Sequence, residues 1–118
     1  MSRILVLCCG GRDYQDAAYV ADCLARLEPH LGPWAMLQGG ARGADRLCKE
    51  WAHRNGVPEL QMDAQWGAYS KLAGPIRNGW MLEICRPGYA VAFPGGTGTR
   101  DMVKRLKAAG VPVWDLRG

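Results

Sequence analysis

The chain lacks several patterns that most directly announce chemistry. No Cys-x-x-Cys pair occurs, and the five cysteines, Cys8, Cys9, Cys23, Cys48 and Cys85, are odd in number. Cys8 and Cys9 fall inside an apolar run, so the set reads as buried thiols in a reducing, intracellular protein rather than a disulfide framework. His30 and His53 stand alone, without partners at metal-ligand spacing, so no metal is expected, and no cofactor either. Ser2 and Ser70 lie outside any nucleophile-elbow pattern, which removes the basis for acyl-enzyme chemistry. There is no basic run or tail: the net charge of +4, with pI about 8.9, is spread along the chain. Such a balance permits an anionic ligand without demanding nucleic acid. The first apolar run is too short for a signal peptide or a membrane span, so a soluble, cytoplasmic protein with no membrane partner is expected. No linker, repeat or low-complexity stretch interrupts the 118 residues, which reads as one domain over 1–118.

What the chain does have is an alternation of short apolar runs and amphipathic stretches. Ile4–Cys9 is continuously apolar and suits a central strand covered on both faces. From about Asp16 to Glu28, Ala17, Val20, Ala21, Leu24 and Leu27 recur at helical spacing, and Pro29 marks the exit. Trp34–Gln38 reads as a second strand, and Ala44 to about Asn55 as a second helix with Gly56 as its C-terminal cap. Glu59–Met62 is a weaker strand, followed by a loop with Trp66, Gly67 and Tyr69. A helix is predicted from about Pro75 to Cys85, a strand over Tyr89–Phe93 and a helix over Thr99–Ala109. Val111–Trp114 closes the series as an edge-type strand, where a proline is tolerated. Trp51, Trp80 and Trp114 read as core or subunit-interface packing. The pattern predicts an α/β fold: a Rossmann-like parallel sheet of about five strands, ordered 3-2-1-4-5, with helices on both faces.

The glycines cluster after the first, second and fourth strands, where ligand loops sit in open α/β folds. Phe93-Pro-Gly-Gly-Thr-Gly-Thr99 joins a strand to a helix. Gly95, Gly96 and Gly98 leave room for an anion, Thr97 and Thr99 offer hydroxyl donors, and the helix N-terminus adds positive potential. The first loop, Gly10-Gly11-Arg12-Asp13-Tyr14, is expected to face it across one crevice. There Arg12 can pair with a phosphate or hold Asp13, and Asp13 can bind a ribose hydroxyl or cap the first helix. The second loop runs Gly39-Gly40-Ala41-Arg42-Gly43-Ala44-Asp45. It has neither the Walker lysine–hydroxyl ending nor the dinucleotide glycine spacing. Arg42 is its candidate ligand contact, with Gly40 and Gly43 around it, and Asp45 is a ligand contact or a first-turn acid supporting the helix dipole. Trp66 and Tyr69 are candidates for stacking on a nucleobase, a contact worth about 1–3 kcal/mol. Arg77, beside Asn78, is placed in the first turns of its helix, where a cation calls for an anionic partner.

Taken together, Gly10–Tyr14, Gly39–Asp45, Ala73-Gly-Pro-Ile-Arg-Asn78 and Phe93–Thr99 resemble the YspA-like branch of the SLOG superfamily, over about Ile4 to Trp114. That superfamily is Rossmann-like and contains the LOG phosphoribohydrolases, the DNA-processing protein DprA, and sensor domains for nucleotide-derived signals. The resemblance implies that Gly95, Gly96, Gly98 and Thr99 bind phosphate and that Arg77 matches the helix arginine of the LOG site. The LOG pattern continues to a glutamate that assists N-glycosidic cleavage; Met102 stands at that position here, with Asp101 beside it but about 100° round the helix.

Three functions follow as expectations. The first is binding of a nucleotide or nucleotide-derived small molecule, including an ADP-ribose-type signal, without catalysis. The second is LOG-type nucleotide N-glycosidase activity, with Arg77 positioning the phosphate or sugar and Asp101, Asp13 or Asp45 supplying the carboxylate. The weakest is single-stranded DNA binding as in DprA. Pairing of superfamily relatives through helices, and five tryptophans in so small a chain, point to a homodimer.

Overall fold

The computed structural model describes residues 3–117; Ser2 lies outside this range, as do Met1 and Gly118. Five strands, β1 (Ile4–Cys9), β2 (Trp34–Gln38), β3 (Glu59–Gln61), β4 (Tyr89–Ala92) and β5 (Val113–Asp115), form one sheet in the order β3-β2-β1-β4-β5. Every pairing is parallel, with Leu7 of β1 opposite Leu37 of β2 and Ala90 of β4. This is the α/β architecture the alternation predicts.

The apolar run of β1 serves two cores because successive side chains point to opposite faces. Val6 and Cys8 pack with Val20 and Leu24 of α1 (Ala17–Leu27) and with Cys48 and Trp51 of α2 (Ala44–Arg54). Leu7 and Cys9 pack on the other face with Met81, and with Met102, Val103 and Leu106 of α5 (Thr97–Ala108). Asp16 caps α1 by accepting the Tyr19 amide at 3.0 Å, so Asp13 is not the cap. The α2 helix ends at Asn55 and Gly56, whose φ of +68° suits glycine in that turn.

Boundaries depart from the sequence pattern at several elements, among them β5, which begins at Val113 rather than Val111. The loop expected at Trp66–Tyr69 is a short helix, α3 (Trp66–Tyr69), followed by a 3₁₀ turn over Ser70–Leu72. The next helix, α4 (Ala73–Trp80), begins two residues before Pro75 and continues as a wider π-type turn over Met81–Cys85. Pro75 still falls in its first turn, where the missing amide breaks no helical bond. Helix α5 begins at Thr97 rather than Thr99, so the Gly-Thr-Gly-Thr stretch is helix start rather than loop. Trp51 is buried against Trp34, while Trp80 and Trp114 are half-buried. No helix among the described residues is long and apolar enough to cross a membrane.

Candidate functional site

A cavity of about 560 Å³ opens at the C-terminal edge of the sheet, between the ends of β1, β2 and β4 and the start of α4. This is where ligands enter open α/β sheets, and the volume suits a small molecule.

The first and fourth glycine loops line this cavity together, as expected, and they also touch. The Gly11 amide donates to the Pro94 carbonyl at 2.9 Å, and the Ala44 amide donates to the Gly11 carbonyl at 3.0 Å. A Cβ on Gly11 would sit 2.9 Å from the Gly95 α-carbon, and one on Gly43 would strike the Gly11 carbonyl and the Arg12 backbone. Gly43 and Gly95 therefore let three backbones touch and lie outside the cavity lining, whereas Gly10 and Gly11 line it. Gly96 and Gly98 have open space where a Cβ would go, and they line the cavity with Thr97 and the buried Thr99. Gly96 starts α5 without a side-chain cap, so the first-turn amides of α5 stand free for an acceptor at the cavity wall.

Arg77 crosses the cavity edge from α4. Its Nη1 donates to the Gly39 carbonyl at 2.7 Å and to the Met62 carbonyl at 3.4 Å, and its Nε donates to Asn78 Oδ1 at 3.1 Å. It is the fifth residue of a helical backbone that runs from Ala73 on to Cys85, so no helix end offsets its charge. The partners its placement called for are thus the carbonyls at the ends of β2 and β3. Burial lowers its proton affinity, and Asp45 acts in the opposite sense. Asn78, 4 % exposed, donates to Asp101 Oδ2 at 2.8 Å, and Arg105 donates to the same oxygen at 2.9 Å. Asp101 lines the cavity with that oxygen already bonded, and Met102, 1 % exposed, lines it too while packing in the core.

Asp45 is a first-turn acid of α2 and also a cavity residue. It is 6 % exposed and its Oδ2 accepts the Ala41 amide at 3.2 Å. Burial pushes its carboxyl up to about 6, while the Ala41 amide, Arg77, the Gly39 amide and Arg12 pull the other way. Cys9, on the cavity floor, is held protonated by burial.

The Arg12 guanidinium lies over the Trp66 ring, 4.9 Å from its centroid, and both line the cavity mouth. Asp13 lines it too, and is held at 3.3 Å by Arg42 rather than by Arg12. Arg42 and Gly40 face an adjoining shallow depression that shares Arg12, Trp66 and Arg77. Tyr69 turns away and meets Trp80 edge-on, with centroids 6.0 Å apart. Lys71 is a cavity residue that motif reading misses. It belongs to no loop pattern, and only the 3₁₀ turn carries it there, after Ser70 with φ of +51°.

The model of the YspA, cpYpsA-related SLOG family (YAcAr) matches residues 4–69, more than half of the chain. The chain belongs to this family. The match contains the first two glycine loops and ends before Arg77 and the Pro94–Thr99 stretch. A relative within reach of sequence comparison is the "Gene 61 protein" of Mycobacterium phage D29, 39 % identical over 125 aligned positions that cover 96 % of this chain and 94 % of the phage protein. Among solved structures, the Moco carrier protein from Chlamydomonas reinhardtii superposes with a TM-score of 0.65, over 98 % of this chain and 77 % of that one. At 16 % identity that likeness establishes the shared fold of this SLOG member.

Proposed function

We propose that the chain is one ligand-holding domain that binds a phosphorylated, nucleotide-derived small molecule, with an ADP-ribose-type compound as the model ligand. The observation that carries this reading is the uncapped start of α5, where Gly96–Thr99 line one cavity together with Arg12, Lys71 and Arg77. Free helix amides and nearby cations together favour a phosphate. Arg12 stacked on Trp66 adds a cation and a flat aromatic face at the mouth, suited to a heterocycle. Membership of a SLOG family, and a neighbour in fold that is named as a carrier, support a ligand-holding role. Titration with nucleoside monophosphates, NAD and ADP-ribose, read by calorimetry and thermal shift, tests it. Absence of binding across the panel would refute it.

A second reading, N-glycosidic hydrolysis, draws on Asp45. A buried carboxyl near pKa 6 beside an arginine has the properties of a proton-transfer group. Chromatography of the same mixtures distinguishes the two: intact ligand supports binding alone, and free base supports hydrolysis.

Pairing with a second copy is part of the same reading and is tested by sedimentation equilibrium. The five cysteines, all free, support a reducing compartment.

A further inference from the structure

Asp45 is the one charged side chain that is buried among the described residues, and it forms part of the cavity lining. It is fixed on a rigid element, the first turn of α2, with backbone amides from the β2–α2 loop bonded to it. The neighbouring guanidinium attracts it without a direct hydrogen bond: Arg77 donates to the carbonyls of Gly39 and Met62 and to Asn78 Oδ1. A buried acceptor with part of its capacity turned to a cavity has two consequences. It repels a second anionic group at that spot, and it strengthens a hydrogen bond from any neutral donor that reaches it. The anion-favouring start of α5 and this anionic acceptor belong to the same cavity. A ligand that satisfies both therefore carries a phosphate in one place and a donor group in another.

We infer that Asp45 sets the specificity of the cavity by accepting hydrogen bonds from a neutral, donor-bearing group of a phosphorylated ligand, either vicinal sugar hydroxyls or a ring amino group. This rests on the reading that phosphate binds at the start of α5. A phosphate ester without such a donor leaves the buried carboxylate facing the ligand without a new partner. The penalty for that falls on the unmatched ligand and not on the matched one.

The test is calorimetric titration at pH 8 of the whole chain and its Asp45→Asn variant with ribose 5-phosphate, phenyl phosphate, AMP and IMP. Sugar recognition predicts that the whole chain prefers ribose 5-phosphate over phenyl phosphate by about tenfold and that Asp45→Asn brings the ratio close to one. Amino recognition predicts the same collapse for AMP over IMP. Equal ratios in both proteins, for both pairs, would overturn the inference. No binding of any of these probes to the unaltered chain would refute the phosphate reading, and the inference with it.

A second readout needs no variant. Lowering the pH through about 6 protonates Asp45, whose charged and titratable neighbours are Arg77 on α4, Arg12 after β1, Cys9 on β1 and Cys48 on α2. The paired phosphate monoesters ionise alike, so their own titration cancels in each ratio. The preference of the unaltered chain therefore weakens towards pH 5, and a preference unchanged between pH 8 and pH 5 would also overturn the inference.

Discussion

Arg77 Nη1 donates to the carbonyl of Gly39 at 2.7 Å, across 38 positions of sequence, and the guanidinium lies against the face where any other residue would carry its Cβ. A Cβ at position 39 would come within 2.8 Å of the Arg77 Cζ and 3.1 Å of Asp45 Oδ2. Gly39→Ala is therefore expected to displace both cavity-lining side chains at once. Overpacking of this kind costs about 1–3 kcal/mol, which urea denaturation measures, and ligand affinity is expected to fall with it. An alanine variant with wild-type stability and affinity would show that Arg77 and Asp45 yield freely.

The glycines of the three loops separate into those where a Cβ would strike backbone and those where it would meet open space. At Gly11 and Gly43 the added methyl meets backbone, which cannot turn aside, and Gly43 also holds φ of +80°. Gly43→Ala is expected to destabilise by more than 1 kcal/mol, an order-of-magnitude figure for an L-residue forced into a strained conformation and a tight contact. At Gly98 the same methyl enters open space in the first turn of α5. Gly98→Ala is expected to raise stability by up to about 0.5 kcal/mol while weakening phosphate binding about tenfold. Denaturation and titration of the two variants side by side separate the roles; unchanged phosphate affinity in Gly98→Ala would remove Gly98 from the site.

Asp45 makes stability depend on pH in a direction opposite to that of most carboxylates. Its folded pKa of about 6 lies above the ordinary value of 3.8, so the folded chain binds more protons than the unfolded one between those values. Stability from this group is therefore fullest below pH 4 and is lost as pH rises towards 6, by about 3 kcal/mol in all. Asp45→Asn keeps an acceptor oxygen and removes the charge. Its stability relative to the unaltered chain is expected to rise between pH 4 and pH 7, measured by urea denaturation at each pH. Parallel pH profiles for the two proteins would show that Asp45 is not perturbed.

Met102, at the position of the LOG glutamate, lines the cavity and also packs in the core. Met102 packs in the core beside Val103 and Leu106 and is 1 % exposed. Met102→Glu is expected to lower stability by about 2–4 kcal/mol through loss of apolar packing and burial of a carboxyl. Thermal unfolding checks this; an unchanged melting temperature would mean that the new side chain reaches the cavity without disturbing the core.

Asp101 and Asn78 act together, because Asn78 bridges Asp101 on α5 and the Arg77 guanidinium on α4. Asn78→Ala leaves Arg77 held only by the carbonyls of Gly39 and Met62. Weaker ligand affinity with stability reduced by about 1–2 kcal/mol is expected, since a buried amide and its carboxylate partner lose their bond. Titration and denaturation of the variant check both parts, and unchanged affinity would make Asn78 purely structural.

The sequence by itself determined the architecture and the edge at which the cavity opens. A strand covered on both faces must be apolar throughout, as Ile4–Cys9 is, and parallel strands require intervening helices, whose apolar spacing is visible over Ala17–Leu27 and Ala44–Arg54. These are local rules, legible without knowing what touches what. The placement of α3 and of Lys71 was not legible, because short helices carry too few residues for a period to register. Nor did composition show that Gly43 and Gly95 serve contacts between backbones while Gly96 and Gly98 face open space, or that Tyr69 turns towards Trp80. Only the tertiary structure decided those roles and the burial of Asp45 beside Arg77. Glycine at a loop position signals that a side chain is excluded, but what excludes it arrives from residues tens of positions away. A carboxylate acquires a raised pKa only when the folded chain takes water from around it.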